Sequence, residues 1–186
     1  YQNDPDSPFL DLLLVQELRR LERDLLGLSF NSQRRQNKFY YGIPRENAGE
    51  KVIGLESFVT QVLKEGLIQD VPLWLMAQGY LALLSGNFYY AQKSFEKARG
   101  YRLPEPLEKQ LDGFELALYL NSLQDINAQI ENEIYRLQLG DDTYEGFEAF
   151  RDFTRDKLTS LYEQTGQEGK AFLMQYSLSY LKPNIK

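Results

Sequence analysis

The sequence predicts an all-α fold of about seven or eight helices, arranged as antiparallel helix hairpins. Three observations lead to this prediction. Apolar residues recur at spacings of three and four residues along most of the chain, which is the period of an amphipathic helix. Glycines and prolines fall mainly at the ends of these segments, where helices stop and start. No segment shows the alternating pattern of a strand.

Composition sets the broad class of the protein. The chain has 186 residues, of which 42% are hydrophobic and 26% charged, so it is long enough to bury a core in one domain of ordinary size. Its net charge of −6 argues against a nucleic-acid surface, because phosphate binding needs a basic face. The longest apolar runs are too short to span a bilayer, and we expect no membrane insertion.

Two absences limit the possible chemistry. The chain contains no cysteine and no histidine. A thiolate nucleophile, a sulfur-ligated zinc site and a Ser-His-Asp triad are therefore excluded. An enzyme built from this sequence would have to use carboxylates, Lys, Tyr or Arg. We expect no catalysis, no cofactor and no metal site.

The first part of the chain predicts a linker and a single helix. The chain begins at Tyr1 without an initiator methionine or a signal-peptide pattern, and we expect it to be part of a longer protein. Residues 1–8 are polar and broken by proline, as in a linker, and 9–29 form an amphipathic helix opened by Ser7-Pro8. We expect its leucine stripe to pack on its own domain rather than form a dimer seam. The cysteine-free, tyrosine-rich composition slightly favours an exported or periplasmic location over a cytoplasmic one.

A long loop is predicted at 30–50, where no periodicity is present. It holds a basic and aromatic cluster that is a possible docking segment for an acidic partner or for one that accepts aromatic side chains. The members of this cluster are Arg34, Arg35, Lys38, Phe39, Tyr40 and Tyr41, followed by Arg45. The alternative, which we favour, is a linker whose aromatic side chains lie in the nearest groove.

The segment 72–104 carries the most specific pattern. A helix at about 50–67 precedes it. Pro72 then opens one helix, Ser85-Gly86 ends it, and a second helix runs from Asn87 to about Arg99. Small and bulky residues alternate along this hairpin in the way that close nesting of two helices requires. These residues are Gly79, Gly86, Phe88, Ala91, Phe95 and Ala98.

This arrangement resembles the helix-turn-helix unit of the tetratricopeptide repeat. The resemblance implies an irregular right-handed stack of hairpins, an α-solenoid, over 51–182, with 72–104 as its best repeat. Departures from the family pattern are Gln78 and Ala82, where Leu and a large aromatic are usual, Trp74, one residue before the usual aromatic, and Leu103 in place of the closing proline.

Further copies of the unit are incomplete. Gly113 follows Gly79 by the family's period of 34 residues, but the match then fades. Gly166 and Ala171 repeat the spacing of Gly86 and Ala91. The remaining periodicity predicts helices at 107–120, 122–138, 144–164 and 167–181, the second of these begun by a capping box at Ser122.

The resemblance implies a binding role, since such repeats hold a peptide or a helix of another protein on their concave face. The residues on that face would be Leu73, Met76, Tyr80, Leu83 and Leu84. They are so apolar that either the chain itself covers them, through the N-terminal helix or the aromatic loop, or they receive an apolar partner helix; we favour the first. Because such repeats bind other proteins, we expect a non-catalytic protein-interaction or scaffold module. The sequence does not indicate its oligomeric state.

One alternative function stays open. A helical domain with clustered Tyr and Phe could bind a small molecule or a glycan, or act as a carboxylate enzyme through pairs such as Glu131/Glu133.

Overall fold

A computed structural model describes residues 7–26, 48–139 and 148–174. Within these ranges the chain is all-α, with eight helices and no strand, which confirms the predicted fold class and helix number. The helices are α1 (Pro8–Leu26), α2 (Ala48–Glu65), α3 (Val71–Leu84), α4 (Phe88–Arg99), α5 (Glu105–Ser122), α6 (Ala128–Leu139), α7 (Glu148–Gln164) and α8 (Glu168–Met174).

The helix ends follow local chemistry. Asp70 caps α3 by accepting a hydrogen bond from the backbone N–H of Leu73, and Pro72 lies in the first turn. Asn87 caps α4 in the same way through the N–H of Tyr90. The turn between them requires Gly86, whose φ of 77° lies in the left-handed region that side chains with a Cβ rarely adopt.

One predicted boundary is wrong. The capping box at Ser122 was expected to start a helix, but α5 continues through Ser122 and α6 begins only at Ala128. Asn127 is the residue that caps α6, since its side-chain oxygen accepts hydrogen bonds from the N–H groups of Gln129 and Ile130. The hydroxyl of Ser122 instead donates to the carbonyl of Tyr119 in the last turn of α5.

The described chain divides into two compact units, Tyr1–Leu118 and Tyr119–Lys186, with the division inside α5. The first unit is built around α3, which is apolar on almost every side and buries nine residues. A helix that is hydrophobic all round needs neighbours on all sides. In this unit α1 and α2 cover one side of α3, and α4 and α5 cover another.

The second unit is held by packing between α6, α7 and α8. Its buried side chains include Ile126, Ile134, Leu158, Leu161 and Ala171. The turn between α7 and α8 repeats the chemistry of the α3–α4 turn, because Gly166 has a φ of 71° and the N–H of Gln167 bonds to the carbonyl of Tyr162. The predicted hairpin at this place is therefore present in the structure.

Candidate functional site

The five residues of the predicted binding face all lie on α3, at two different depths. Met76 is 2% exposed and Leu83 9% exposed, and both belong to a buried cluster that also holds Leu111 of α5. Leu73, Tyr80 and Leu84 keep part of their surface in solvent. In this conformation only those three can touch a partner.

Phe114 of α5 joins this face, and it was not among the predicted site residues. Its ring stacks on Tyr80, with 4.6 Å between the centroids and 17° between the planes. It also stacks on Phe95 of α4, with 5.8 Å between the centroids. Tyr80 and Phe114 are both partly exposed, so an aromatic pair lies on the surface that α3 and α5 share.

The position of Phe114 could have been found from the period of the repeat. Phe114 follows Tyr80 by the same 34 residues that separate Gly113 from Gly79. If successive hairpins stack, side chains one period apart lie on neighbouring helices and meet. The stack between Tyr80 and Phe114 has this relationship. We name the partly exposed residues Tyr80, Leu84 and Phe114 the α3–α5 face. Leu73 packs instead on the cluster that α1, α2 and α3 share.

Close nesting of α3 and α4 holds the face in place. A Cβ atom on Gly79 would lie 2.3 Å from Cε1 of Phe95, so a larger side chain would require the Phe95 ring to move. Ala91 and Ala98 of α4 are fully buried, which lets the two helices approach along their whole length. The predicted role of Gly79 as the small residue at a close helix crossing is confirmed.

Gln78 forms a buried polar network. Its side chain is 5% exposed, and its Nε2 donates hydrogen bonds to the Thr60 hydroxyl and to the Tyr90 hydroxyl, each at 3.1 Å. Its Oε1 accepts from the Ser94 hydroxyl, also at 3.1 Å. The network joins α2, α3 and α4, so the polar residue specifies the arrangement of three helices.

An ion-pair cluster joins α4 to α5. Arg99 contacts Asp112 and Glu115, with 2.6 Å between its Nη2 and a carboxylate oxygen of each. Burial alone would lower the pKa of Arg99, but the hydrogen bonds to the two carboxylates outweigh burial and raise it. Since the three side chains remain partly exposed, the cluster fixes helix orientation more than it adds stability.

A second cluster of chemically active side chains lies in the unit Tyr119–Lys186. One oxygen of Glu131 accepts a hydrogen bond from the Tyr162 hydroxyl at 2.8 Å and contacts the Lys170 ammonium. Tyr162 is 1% exposed, and its pKa is raised well above the ordinary value. Burial is the main cause, and the hydrogen bond to Glu131 adds to it. A buried tyrosine that stays neutral is a poor acid or base near neutral pH. The contacts of Glu131 with Tyr162 and Lys170 instead hold α6, α7 and α8 together.

The carboxylates of the alternative function are engaged in a similar way. Glu133 accepts a hydrogen bond from the Tyr119 hydroxyl at 2.8 Å. Among the residues that the structure describes, no group of three or more Asp or Glu side chains could hold a metal ion. Within the same ranges, no helix combines the length and the apolar character that a membrane crossing needs.

The predicted docking loop falls outside the described residues. This applies to all six of its candidate contacts, Arg34, Arg35, Lys38, Phe39, Tyr40 and Tyr41, and to most of 30–50. Its role stays a prediction.

Comparison with known proteins adds no relative. No protein-family model matches the chain, and no curated protein or solved structure shows a significant match. The functional argument therefore depends on the geometry alone.

Proposed function

We propose that this chain is a non-catalytic, tetratricopeptide-like interaction module that binds a peptide or a helix of another protein on the α3–α5 face. The observation that carries the proposal is the stack of Tyr80 on Phe114. Two aromatic side chains one repeat period apart, partly exposed and held by a rigid hairpin, are the kind of anchor that dominates protein interfaces.

The surroundings of the stack support this function. Phe95 lies beneath Phe114 and is 1% exposed, so the pair rests on a packed layer and loses little freedom on binding. Leu84, four residues after Tyr80, extends the apolar surface along α3. A row of apolar side chains along a helix suits a partner that presents an apolar stripe.

The proposal is tested with two substitutions and a matched control. Tyr80→Ala and Phe114→Ala remove the exposed part of the stack, whereas Tyr89→Ala removes a tyrosine of α4 that is 72% exposed and lies outside the face. Binding is measured by fluorescence anisotropy against a library of labelled apolar helical peptides and, separately, a panel of saccharides. Far-UV circular dichroism checks that each variant is folded.

We expect peptides to bind the wild type and Tyr89→Ala with equal affinity, and to bind the two face variants at least tenfold more weakly. The proposal fails if every bound peptide tolerates both face substitutions in folded protein. Saccharide binding that Tyr80→Ala abolishes would instead support the alternative function on the same residues.

A further inference from the structure

Helix α1 contacts the rest of its unit through one face. Leu14 and Leu21 are 4% and 3% exposed, and Leu10 and Leu18 pack beside them while keeping part of their surface in solvent. These leucines follow one another at spacings of four, four and three residues. This is the anchor pattern of a helix that binds in an apolar groove.

The groove that receives α1 is formed mainly by α2 and α3. Its floor is made of side chains that are at most 2% exposed when α1 is present, namely Val52, Val59, Val62, Trp74, Ala77 and Leu81. The Trp74 indole donates a hydrogen bond of 2.7 Å to Oδ1 of Asp11 in α1. A buried indole N–H requires an acceptor, so the groove selects a helix with a carboxylate next to its first leucine.

The connection between α1 and α2 differs from the tight turns of this chain. The α3–α4 and α7–α8 hairpins are closed by three residues, whereas 27–47 separates α1 from α2, a connection of about twenty residues. A short turn obliges two helices to pack together, but a long connection only raises the local concentration of one near the other. The attachment of α1 to the groove thus resembles that of a tethered ligand.

The opposite side of α1 is also apolar. Phe9, Leu12 and Leu13 are 68%, 52% and 54% exposed. The groove therefore covers only part of the apolar surface that α1 carries. The exposed apolar side chains of α1 could therefore contact another apolar surface when α1 is outside the groove.

We propose that the groove of α2 and α3 is a helix-binding site and that α1 is its replaceable resident ligand. The partner that fits is an amphipathic helix of another protein, with leucines at the spacing of Leu10, Leu14, Leu18 and Leu21 and a carboxylate at the place of Asp11. Such a helix displaces α1 and frees it. This site lies on another side of α3 from the α3–α5 face and does not depend on the function proposed for that face.

Two adjacent leucines of α1 provide a matched pair of variants of the full chain. Leu14→Glu places a charge in the groove, whereas Leu13→Glu places the same charge on the exposed side. Trp74 is the sole tryptophan of the chain and reports on the groove. We expect Leu14→Glu to shift Trp74 emission to longer wavelength, because release of α1 admits water, and we expect Leu13→Glu to leave the emission unchanged.

A synthetic peptide of residues 7–26 then tests replacement. Added to the Leu14→Glu chain, it should restore the emission of the wild type, and a peptide with Asp11→Ala should bind about tenfold more weakly because Trp74 loses its charged acceptor. The wild-type chain should bind the same peptide about 100-fold more weakly than the variant, since tethered α1 competes at an effective concentration of about 1 mM against a Kd of about 10 µM.

A second measurement covers the case in which Leu14→Glu does not fold. A protease recognition sequence replaces residues 33–38 in the otherwise wild-type chain, and the chain is cut there after folding. Labelled peptide 7–26 should then exchange with the cut α1 segment and become bound. The proposal is overturned if the peptide fails to bind folded Leu14→Glu chain, or if the cut chain unfolds or never exchanges its α1. None of these readouts involves Tyr80 or Phe114, so the two proposals fail independently.

Discussion

The substitution Gly79→Ala is a stringent test of how α3 and α4 nest. The added Cβ would lie 2.3 Å from Cε1, 2.5 Å from Cδ1 and 3.0 Å from Cζ of the Phe95 ring. Carbon atoms in ordinary contact are about 3.5–4.0 Å apart, so the ring would have to retreat by more than about 1 Å. It has little space to do so, because Phe95 is 1% exposed and stacks on Phe114.

The magnitude follows from two opposing effects. Forcing one extra carbon into a packed core costs about 1–3 kcal/mol. Alanine regains about 1 kcal/mol of helix propensity over glycine, so the net loss of stability should be about 0–2 kcal/mol. Gly113 provides the control, since it also lies inside a helix and is buried, yet a Cβ there meets no atom within 4 Å. Gly113→Ala should therefore stabilise the unit by about 0.5–1 kcal/mol.

Urea unfolding followed through Trp74 emission measures the stability of both variants. Trp74 is the single tryptophan, is fully buried in α3 and lies in the same unit as both glycines. With a slope of about 1–3 kcal/mol per molar urea, the two midpoints should differ by about 1 M. Adding Phe95→Leu to Gly79→Ala should recover part of the loss. Equal midpoints for Gly79→Ala and Gly113→Ala would refute the reasoning that the two helices cross at Gly79.

Three further predictions concern the turn and the hydrogen bonds. Gln78→Leu should lower the stability measured in urea by about 1–3 kcal/mol, because the buried Ser94 hydroxyl loses its acceptor. Adding Ser94→Ala to that variant should recover part of the lost stability. Strictly additive effects of the two substitutions would contradict the network. Gly86→Ala should cost about 1–2 kcal/mol because φ is positive, and Gly86→Asn should cost less; the reverse order would argue against a left-handed turn residue. Burial, and then the hydrogen bond to Glu133, raise the pKa of Tyr119 to about 12. The raised pKa means that its stabilising effect is complete below about pH 10 and is lost between about pH 10 and 12. Thermal unfolding across this range should show a smaller loss of stability for Tyr119→Phe than for the wild type, and identical losses would rule the effect out.

Most of the helices could be predicted from the sequence because local chemistry determines them. Pro72, Gly86 and Asn87 act within a few residues of their own position, and the structure places the turn between α3 and α4 where they predict. The boundary between α5 and α6 was missed for a related reason. Ser122 and Asn127 are both acceptable caps, and local sequence does not decide which of two adjacent caps is used.

Long-range contacts were harder to predict. Gln78 was recognised only as a departure from the repeat pattern, since its role depends on Thr60, Tyr90 and Ser94 lying on two other helices at bonding distance. Trp74 was likewise recognised only as a departure from the repeat pattern, and it is fully buried. Its acceptor, Asp11, is 63 residues away in sequence. Nothing near Trp74 in the sequence indicates which carboxylate will accept from it.

The α3–α5 face shows how a weak repeat can still determine a surface. The match to the repeat pattern fades after Gly113, so the sequence alone indicated a degenerate copy. The pair Gly113-Phe114 nevertheless keeps the period from Gly79-Tyr80, and Phe114 lies on Tyr80 as that period requires. A Cβ on Gly113 would meet no atom within 4 Å, whereas one on Gly79 would meet the Phe95 ring. The close helix crossing at Gly79 therefore has no counterpart at Gly113, although Phe114 still stacks on Tyr80. If the α3–α5 face binds a partner as proposed, the aromatic side chain matters for binding and the small residue beside it does not. Phe114→Ala should then weaken peptide binding, whereas Gly113→Ala should leave it unchanged.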